Sequence, residues 1–129
     1  MKPAMLKEGL SYYCHLIVRV SDTAKAQGSG DMKVLSTPRL VALMENAAMH
    51  AAAPSLANGE TTVGSEIAIS HLAPSKVGAD VVATAVLEKV EGRKLTFSVS
   101  ARDGDNLVGE GTHVRYIVDR KRFLSKLSM

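Results

Sequence analysis

The chain has 129 residues, 46% of them hydrophobic and 22% charged, with one cysteine, Cys14, and an aromatic content of 4%. That length suits a single domain spanning 1–129 that buries a core without a metal or a disulfide framework, and a lone cysteine favours a reducing, cytoplasmic setting. No run approaches the roughly 18 apolar residues of a membrane span, Met1 to Leu10 lacks the apolar stretch of a signal peptide, and no Cys/His cluster has zinc-site spacing, so neither a membrane nor a metal is expected as a partner.

The formal net charge is +3. Its excess lies at one end, where Arg115, Arg120, Lys121, Arg122 and Lys126 stand against Asp119 alone. Such a segment suits a phosphorylated ligand or simply water. Nucleic acid is not expected, because aromatic side chains that would stack on bases are scarce.

In chain order, Tyr12 to Val20 is rich in β-branched and aromatic residues and reads as a strand. Ser21 to Leu35 has no period and contains Gly28-Ser-Gly30, so it is expected to be a long, mobile connection. Thr37-Pro38 then predicts a helix with Thr37 as N-cap, carrying Leu40, Met44, Ala47, Ala48 and Ala51 on one face and ending before Pro54. After Ala57-Asn-Gly-Glu60 the chain reads as four strands joined by tight turns: Thr61 to Leu72, Val81 to Val90, Leu95 to Ala101 and Leu107 to Val118. Residues 95, 97, 99 and 101 alternate cleanly with polar neighbours, whereas the Val/Ala-rich third strand suggests burial on both faces. A short basic helix, Arg120 to Leu127, closes the chain. One helix cannot cover both faces of five strands, which predicts at least a homodimer.

Among residues suited to chemistry, Glu45 sits mid-helix with Val41, Ala42, Ala48 and Met49 at i±3 and i±4, so it has no local ion-pair partner and lies at the flank of the apolar stripe. A surface carboxylate or a pKa-shifted catalytic one both fit this position. His71 ends a strand whose face it is expected to share with Val63, Ile67 and Ile69, as a core histidine or one reaching into a cleft. Thr37 reads first as a cap, Gly64 as a bulge or a close backbone approach, and Arg115, alternating with His113 and Ile117, as half of a cross-strand ion pair. His15, His50 and His113 fit no ligand spacing, and nucleophile elbows, phosphate loops and dinucleotide fingerprints are missing from the sequence.

Four segments in order, Thr37-Pro-Arg-Leu-Val-Ala-Leu-Met-Glu45, Gly64-Ser-Glu-Ile-Ala-Ile-Ser-His71, Val90-Glu-Gly-Arg93 and Gly109-Glu-Gly-Thr-His-Val-Arg115, resemble the hotdog-fold thioesterases, specifically the fluoroacetyl-CoA thioesterase-like subgroup, from about Met5 to Phe123. The resemblance implies an α+β hotdog fold, a five-stranded antiparallel sheet wrapped around one central helix, dimerised or tetramerised so that each active site draws on two subunits. It implies a catalytic trio of Thr37, Glu45 and His71, spaced by 8 and 26 residues, with Gly64 and Arg115 contacting substrate. It further implies hydrolysis of acyl-CoA with no cofactor beyond the coenzyme A of the substrate: Glu45 would attack the thioester or activate water, His71 would move protons, and Arg115 or the basic tail would meet coenzyme A phosphates or the acyl end. The fluoroacetyl-specific members carry an aromatic-rich lid, whereas Ser21 to Leu35 contains no Phe, Tyr or Trp, which points to a different small or medium acyl group. The main alternative is a non-catalytic acyl-CoA or small-ligand binding protein on the same fold, although all three catalytic positions hold competent side chains. A hydratase lacks its usual Asp beside His71.

Overall fold

In a computed structural model the described residues run from Leu6 to Ser128; the start of the resemblance at Met5, and half of the Met1–Leu10 stretch, lie outside them. Five antiparallel strands, β1 (Ser11–Ile17), β2 (Glu60–His71), β3 (Asp80–Glu91), β4 (Lys94–Asp103) and β5 (Asn106–Asp119), form one sheet in the order β1-β3-β4-β5-β2. Helix α2 (Thr37–Ala52) lies across its inner face, chiefly against β1 and β3. A short helix α1 (Ala24–Gln27) precedes it and α3 (Arg120–Ser125) ends the chain. This is the expected hotdog architecture.

The helix presents Leu40, Leu43, Met44, Ala47, Ala48 and Ala51 to the sheet, all buried. Facing them, Val81, Ala83, Ala85 and Leu87 of β3 and Leu95, Phe97, Val99 and Ala101 of β4 are buried as well. Small residues on both sides set the close helix-to-sheet distance, and Phe97 fills the width that remains. Gly109 belongs to the same fit, since a Cβ there would stand 3.0 Å from the Leu40 side chain and 2.9 Å from the Ser70 carbonyl oxygen. Among the described residues, no helix is long and apolar enough to cross a membrane.

Four expectations change. β3 is not buried on both faces: Val82, Thr84 and Val86 on the outer side are half-exposed, because the pleat sends alternate residues outward and nothing in the single chain covers them. The first strand ends at Ile17 instead of Val20, where Asp22 accepts the Arg19 backbone N–H at 2.8 Å and turns the chain. The Ser21–Leu35 segment is tied down: α1 is capped by Thr23 and stopped by Gly28 at φ 74°, Leu35 is buried, and Thr23 and Val34 form bridges to Leu35 and Lys76. The buried Asp22 also pairs with Arg39 Nε at 3.1 Å, fastening this segment to α2. Finally, Ser36 is the N-cap of α2, its Oγ accepting the Arg39 N–H at 3.0 Å. Thr37 is the first helical residue, so its hydroxyl is free for other work.

Candidate active site

Released from capping, Thr37 reaches across to the end of β2, where its Oγ1 lies 2.7 Å from His71 Nδ1. A hydroxyl can donate to that nitrogen or accept from it, so the opposite ring nitrogen, Nε2, presents a proton or a lone pair accordingly. Nε2 is buried and has no hydrogen-bond partner among the described residues. Burial also lowers the His71 pKa, which favours the neutral ring. The pair borders an open cavity of about 320 Å³ walled by Ala24, Val34, Leu35, Leu72 and Pro74. His71 shares its face with Ile67 and Ile69, as expected, but Val63 is on the other side. The register of β2 against β5 shifts between Gly64 and Glu66, and that bulge reverses the alternation before it.

The same bulge builds a second cluster. Gly64 lies opposite Arg115 on β5, and a Cβ placed on it would stand 2.8 Å from Glu45 Oε2 and 3.2 Å from Arg115 Nη1. Glycine is required here for room, letting the Glu45 carboxylate lie against the strand backbone. Arg115 is buried, and each of its side-chain nitrogens makes a hydrogen bond within the protein: Nε to Thr62 Oγ1 at 2.9 Å, Nη2 to the Thr62 carbonyl at 3.0 Å and Nη1 to His113 Nε2 at 3.1 Å. Nη1 is also 3.8 Å from Glu45 Oε2, an ion pair without a direct hydrogen bond. The ion partner of Arg115 is thus on the helix, not on a neighbouring strand. Burial lowers the Arg115 pKa and the Glu45 charge opposes that shift.

Thr37 and Glu45 are eight residues apart on α2, about 12 Å along its axis. Within one chain the three expected catalytic residues therefore fall into two separate groups: Thr37 with His71 at one end of β2, and Glu45 with Gly64 and Arg115 toward the other. Within the chain Thr37 touches His71, not Glu45. Two residues that fix Arg115 are not singled out by the sequence: Thr62, and His113, which the sequence places on the Arg115 strand face without a role. The signal for His113 was its i,i+2 spacing from Arg115, which puts both side chains on the inner face of one strand.

Another cavity, of about 210 Å³, opens where β5 meets α3, between Arg93, Arg122, Lys126, Ile117 and Phe123. Arg93 is engaged there with Glu60 at 3.3 Å and the Ile117 carbonyl at 3.2 Å, and Lys126 lies over the Phe123 ring, 5.6 Å from its centroid.

A sheet wrapped on one helix, carrying a carboxylate, a threonine-bound histidine and a glycine cleared for close approach, defines a hotdog-fold thioester hydrolase. Residues 18–121 match the family described as fluoroacetyl-CoA-specific thioesterase, and the chain belongs to that family. It is 41% identical over 95 residues to the fluoroacetyl-CoA thioesterase of Streptantibioticus cattleyicolor, covering 74% of this chain and 68% of that protein. The crystal structure of the fluoroacetyl-CoA thioesterase FlK superposes with a TM-score of 0.91 at 32% identity, over 97% of each chain. A thioesterase superfamily member from Thermus thermophilus superposes at 0.88 with 27% identity, over 95% of this chain and 90% of that one.

Proposed function

We propose that the protein hydrolyses acyl-CoA thioesters as a homodimer, each active site taking Glu45, Gly64 and Arg115 from one protomer and Thr37 and His71 from the other. The observation that carries this reading is the pairing of Thr37 Oγ1 with His71 Nδ1 while the buried Nε2 has no hydrogen-bond partner among the described residues, at a distance from Glu45 that one chain does not bridge. β2 is an edge strand, so its outer backbone groups are open to a second copy. Antiparallel pairing of two β2 strands about Ala68 sets inward-facing Ile67 against the partner's Ile69. Counting one further through the bulge, it sets Gly64 against the partner's His71. Each half-site is then completed by the other protomer, and stacking of the outer sheet faces would extend the dimer to a tetramer.

In such a site Glu45 attacks the thioester carbonyl or serves with His71 as base toward the water, and the neutral His71 ring takes a proton from the hydrolytic water at Nε2 and passes it to the departing thiolate. Thr37 holds the His71 ring, and a backbone N–H beside Gly64 receives the developing oxyanion. Arg115, buried and held inside the protein by three hydrogen bonds, acts on Glu45 in place of the coenzyme A phosphates. Those phosphates suit the basic cavity by α3. The wall of small and aliphatic residues over His71, without an aromatic between Ser21 and Leu35, favours a small or medium acyl group other than fluoroacetyl. No cofactor is required beyond the coenzyme A of the substrate, and a reducing cytoplasm suits the free Cys14 thiol.

The test is thiol release from a panel of acyl-CoAs, fluoroacetyl-CoA included, by the wild type, Glu45→Gln and His71→Ala. Each variant alone is expected to lose about 10³-fold or more in kcat. Mixing the two inactive variants and letting dimers exchange restores roughly a quarter of wild-type activity, because half the dimers are mixed and one of their two sites is whole. No recovery in the mixture places all three residues in one chain's site. Acyl-CoA bound by the wild type without turnover makes the protein a binding module instead, and a strong preference for fluoroacetyl-CoA overturns the acyl assignment.

A further inference from the structure

His113 is one of the largest fully buried side chains of the protein. An imidazole in that position needs partners, and both of its nitrogens have one. Nδ1 lies 2.7 Å from the Glu66 carbonyl oxygen, and Nε2 lies 3.1 Å from Arg115 Nη1. A carbonyl only accepts and a guanidinium only donates, so a single protonation state satisfies both contacts: the neutral ring with its proton on Nδ1. Desolvation is the largest effect and lowers the His113 pKa; the Glu66 carbonyl opposes it in part, and the lesser effects of the Arg115 and Glu45 charges lower and raise it respectively, leaving it below the ordinary histidine value. The ring therefore stays neutral in the working range and presents a fixed lone pair to Arg115.

We propose that His113 is a positioning residue for hydrolysis: anchored to the bulge carbonyl of Glu66, it accepts from Arg115 Nη1 and thereby aims the guanidinium at the Glu45 carboxylate. The inference rests on the proposed role of Glu45. The chain of contacts is directional. Thr62 grips Nε and Nη2 of Arg115 from one side, leaving rotation about that hinge as the remaining freedom, and His113 removes it. Glu45 itself is part-exposed, with its side chain at 39% against 8% for Arg115, and sits 3.8 Å from Nη1. A mobile carboxylate on an exposed helix flank depends on a rigid cation to choose its rotamer, and this cation is rigid only while its acceptors hold it. The bulge thus serves two ends, since it clears Gly64 for Glu45 and supplies the carbonyl on which His113 is anchored.

The isosteres separate this role from mere packing. In His113→Asn the amide nitrogen can replace the Nδ1–H toward Glu66 but nothing accepts from Arg115, whereas in His113→Gln the amide oxygen extends to the Nε2 position. His113→Leu removes both contacts at similar volume. The expected result is a roughly hundredfold fall in kcat for Asn and Leu with KM within about threefold, and recovery to within about fivefold of wild type for Gln. Thermal melts establish which acceptor-free variant folds, and either one compared with Gln decides the matter. A Gln variant as impaired as Asn or Leu, or losses confined to KM or to melting temperature, overturns the proposal. Glu45→Gln run alongside keeps the two questions apart: if it retains activity the Glu45 reading fails, whereas an inactive Glu45→Gln beside a fully active His113→Asn or His113→Leu sinks the His113 proposal alone.

Discussion

The two half-sites on β2 are built in opposite ways. Around Glu45, Gly64 and Arg115 the protein is crowded and polar, with three hydrogen bonds fixing one guanidinium and no space for a methyl group beside the carboxylate as it stands. Around Thr37 and His71 it is open, with one short contact, a cavity and a ring nitrogen that nothing among the described residues satisfies. A buried polar atom without a partner is costly in a finished structure and reasonable where a partner arrives later. The contrast teaches that the Arg115 charge is held in place by the chain itself, while the His71 ring keeps one nitrogen open to something from outside.

The most direct way to break the contrast is to crowd the crowded side. In Gly64→Ala the new methyl would stand 2.8 Å from Glu45 Oε2, and the carboxylate, being the end of a flexible side chain on a part-exposed helix flank, gives way more easily than the strand. Stability should change by less than about 1 kcal/mol while kcat falls by roughly a hundredfold or more, since the carboxylate leaves its position. A thermal melt and a steady-state assay on one preparation check both halves. A large drop in melting temperature with retained kcat would mean the strand moved and the glycine is structural.

The open side is sharpened by pH. Burial depresses the His71 pKa below the ordinary histidine value of 6.5, so the ring is neutral above that value and gains its second proton only in more acidic solution. The neutral ring is the form that can take a proton, so kcat/KM should rise as pH increases through a value below 6.5 and be level at neutrality, falling about tenfold per pH unit on the acid side. His113 is depressed too and lies close to Glu45. The assignment therefore requires that the acid limb persist in His113→Gln and disappear from the residual activity of His71→Gln. An acid limb centred above 6.5 would show that His71 does not titrate as the free, buried ring described here.

These two regions also differ in how much of them the sequence discloses. Alternation at 95, 97, 99 and 101 and the helical stripe from Leu40 to Ala51 mark the buried faces that the structure contains, because periodicity is a local property of a chain lying on one core. The likeness of four ordered segments to a known family brings Thr37, Glu45, His71, Gly64 and Arg115 forward together. What local reading misses is whatever depends on register. One extra residue at the Gly64/Glu66 bulge turns Val63 away from the His71 face and brings the Glu66 carbonyl within reach of His113, and no composition rule announces a bulge. Thr37 is misread as a cap because Ser36 is equally competent and only hydrogen bonding distinguishes them. The spacing of Thr37 and Glu45 shows two turns of helix, but that these belong to separate half-sites follows only when β2 is seen to run past both.

The smallest expected effect concerns the basic end, and it tests whether the crowded half-site extends toward the nucleotide of the substrate. Glu60 and Thr62 pair with Asp119 and Ile117, so the cavity by α3 continues the β2–β5 ladder just beyond Gly64 and Arg115, on the same end of the molecule as Glu45. Arg93 is already neutralised by Glu60, whereas Arg122 and Lys126 form no ion pair among the described residues. Two cations beside an aromatic ring suit the phosphates and adenine of coenzyme A, but they are solvent-exposed, and screening keeps each contact weak. Arg122→Ala combined with Lys126→Ala should raise KM for acyl-CoA by about threefold to tenfold, more at low salt, and leave kcat unchanged. The matching acyl-pantetheine thioester, which has no nucleotide, should show no change in KM. An equal rise for both substrates would place the effect on the fold, and no rise for either would leave these cations as a solvated surface, with the nucleotide bound elsewhere.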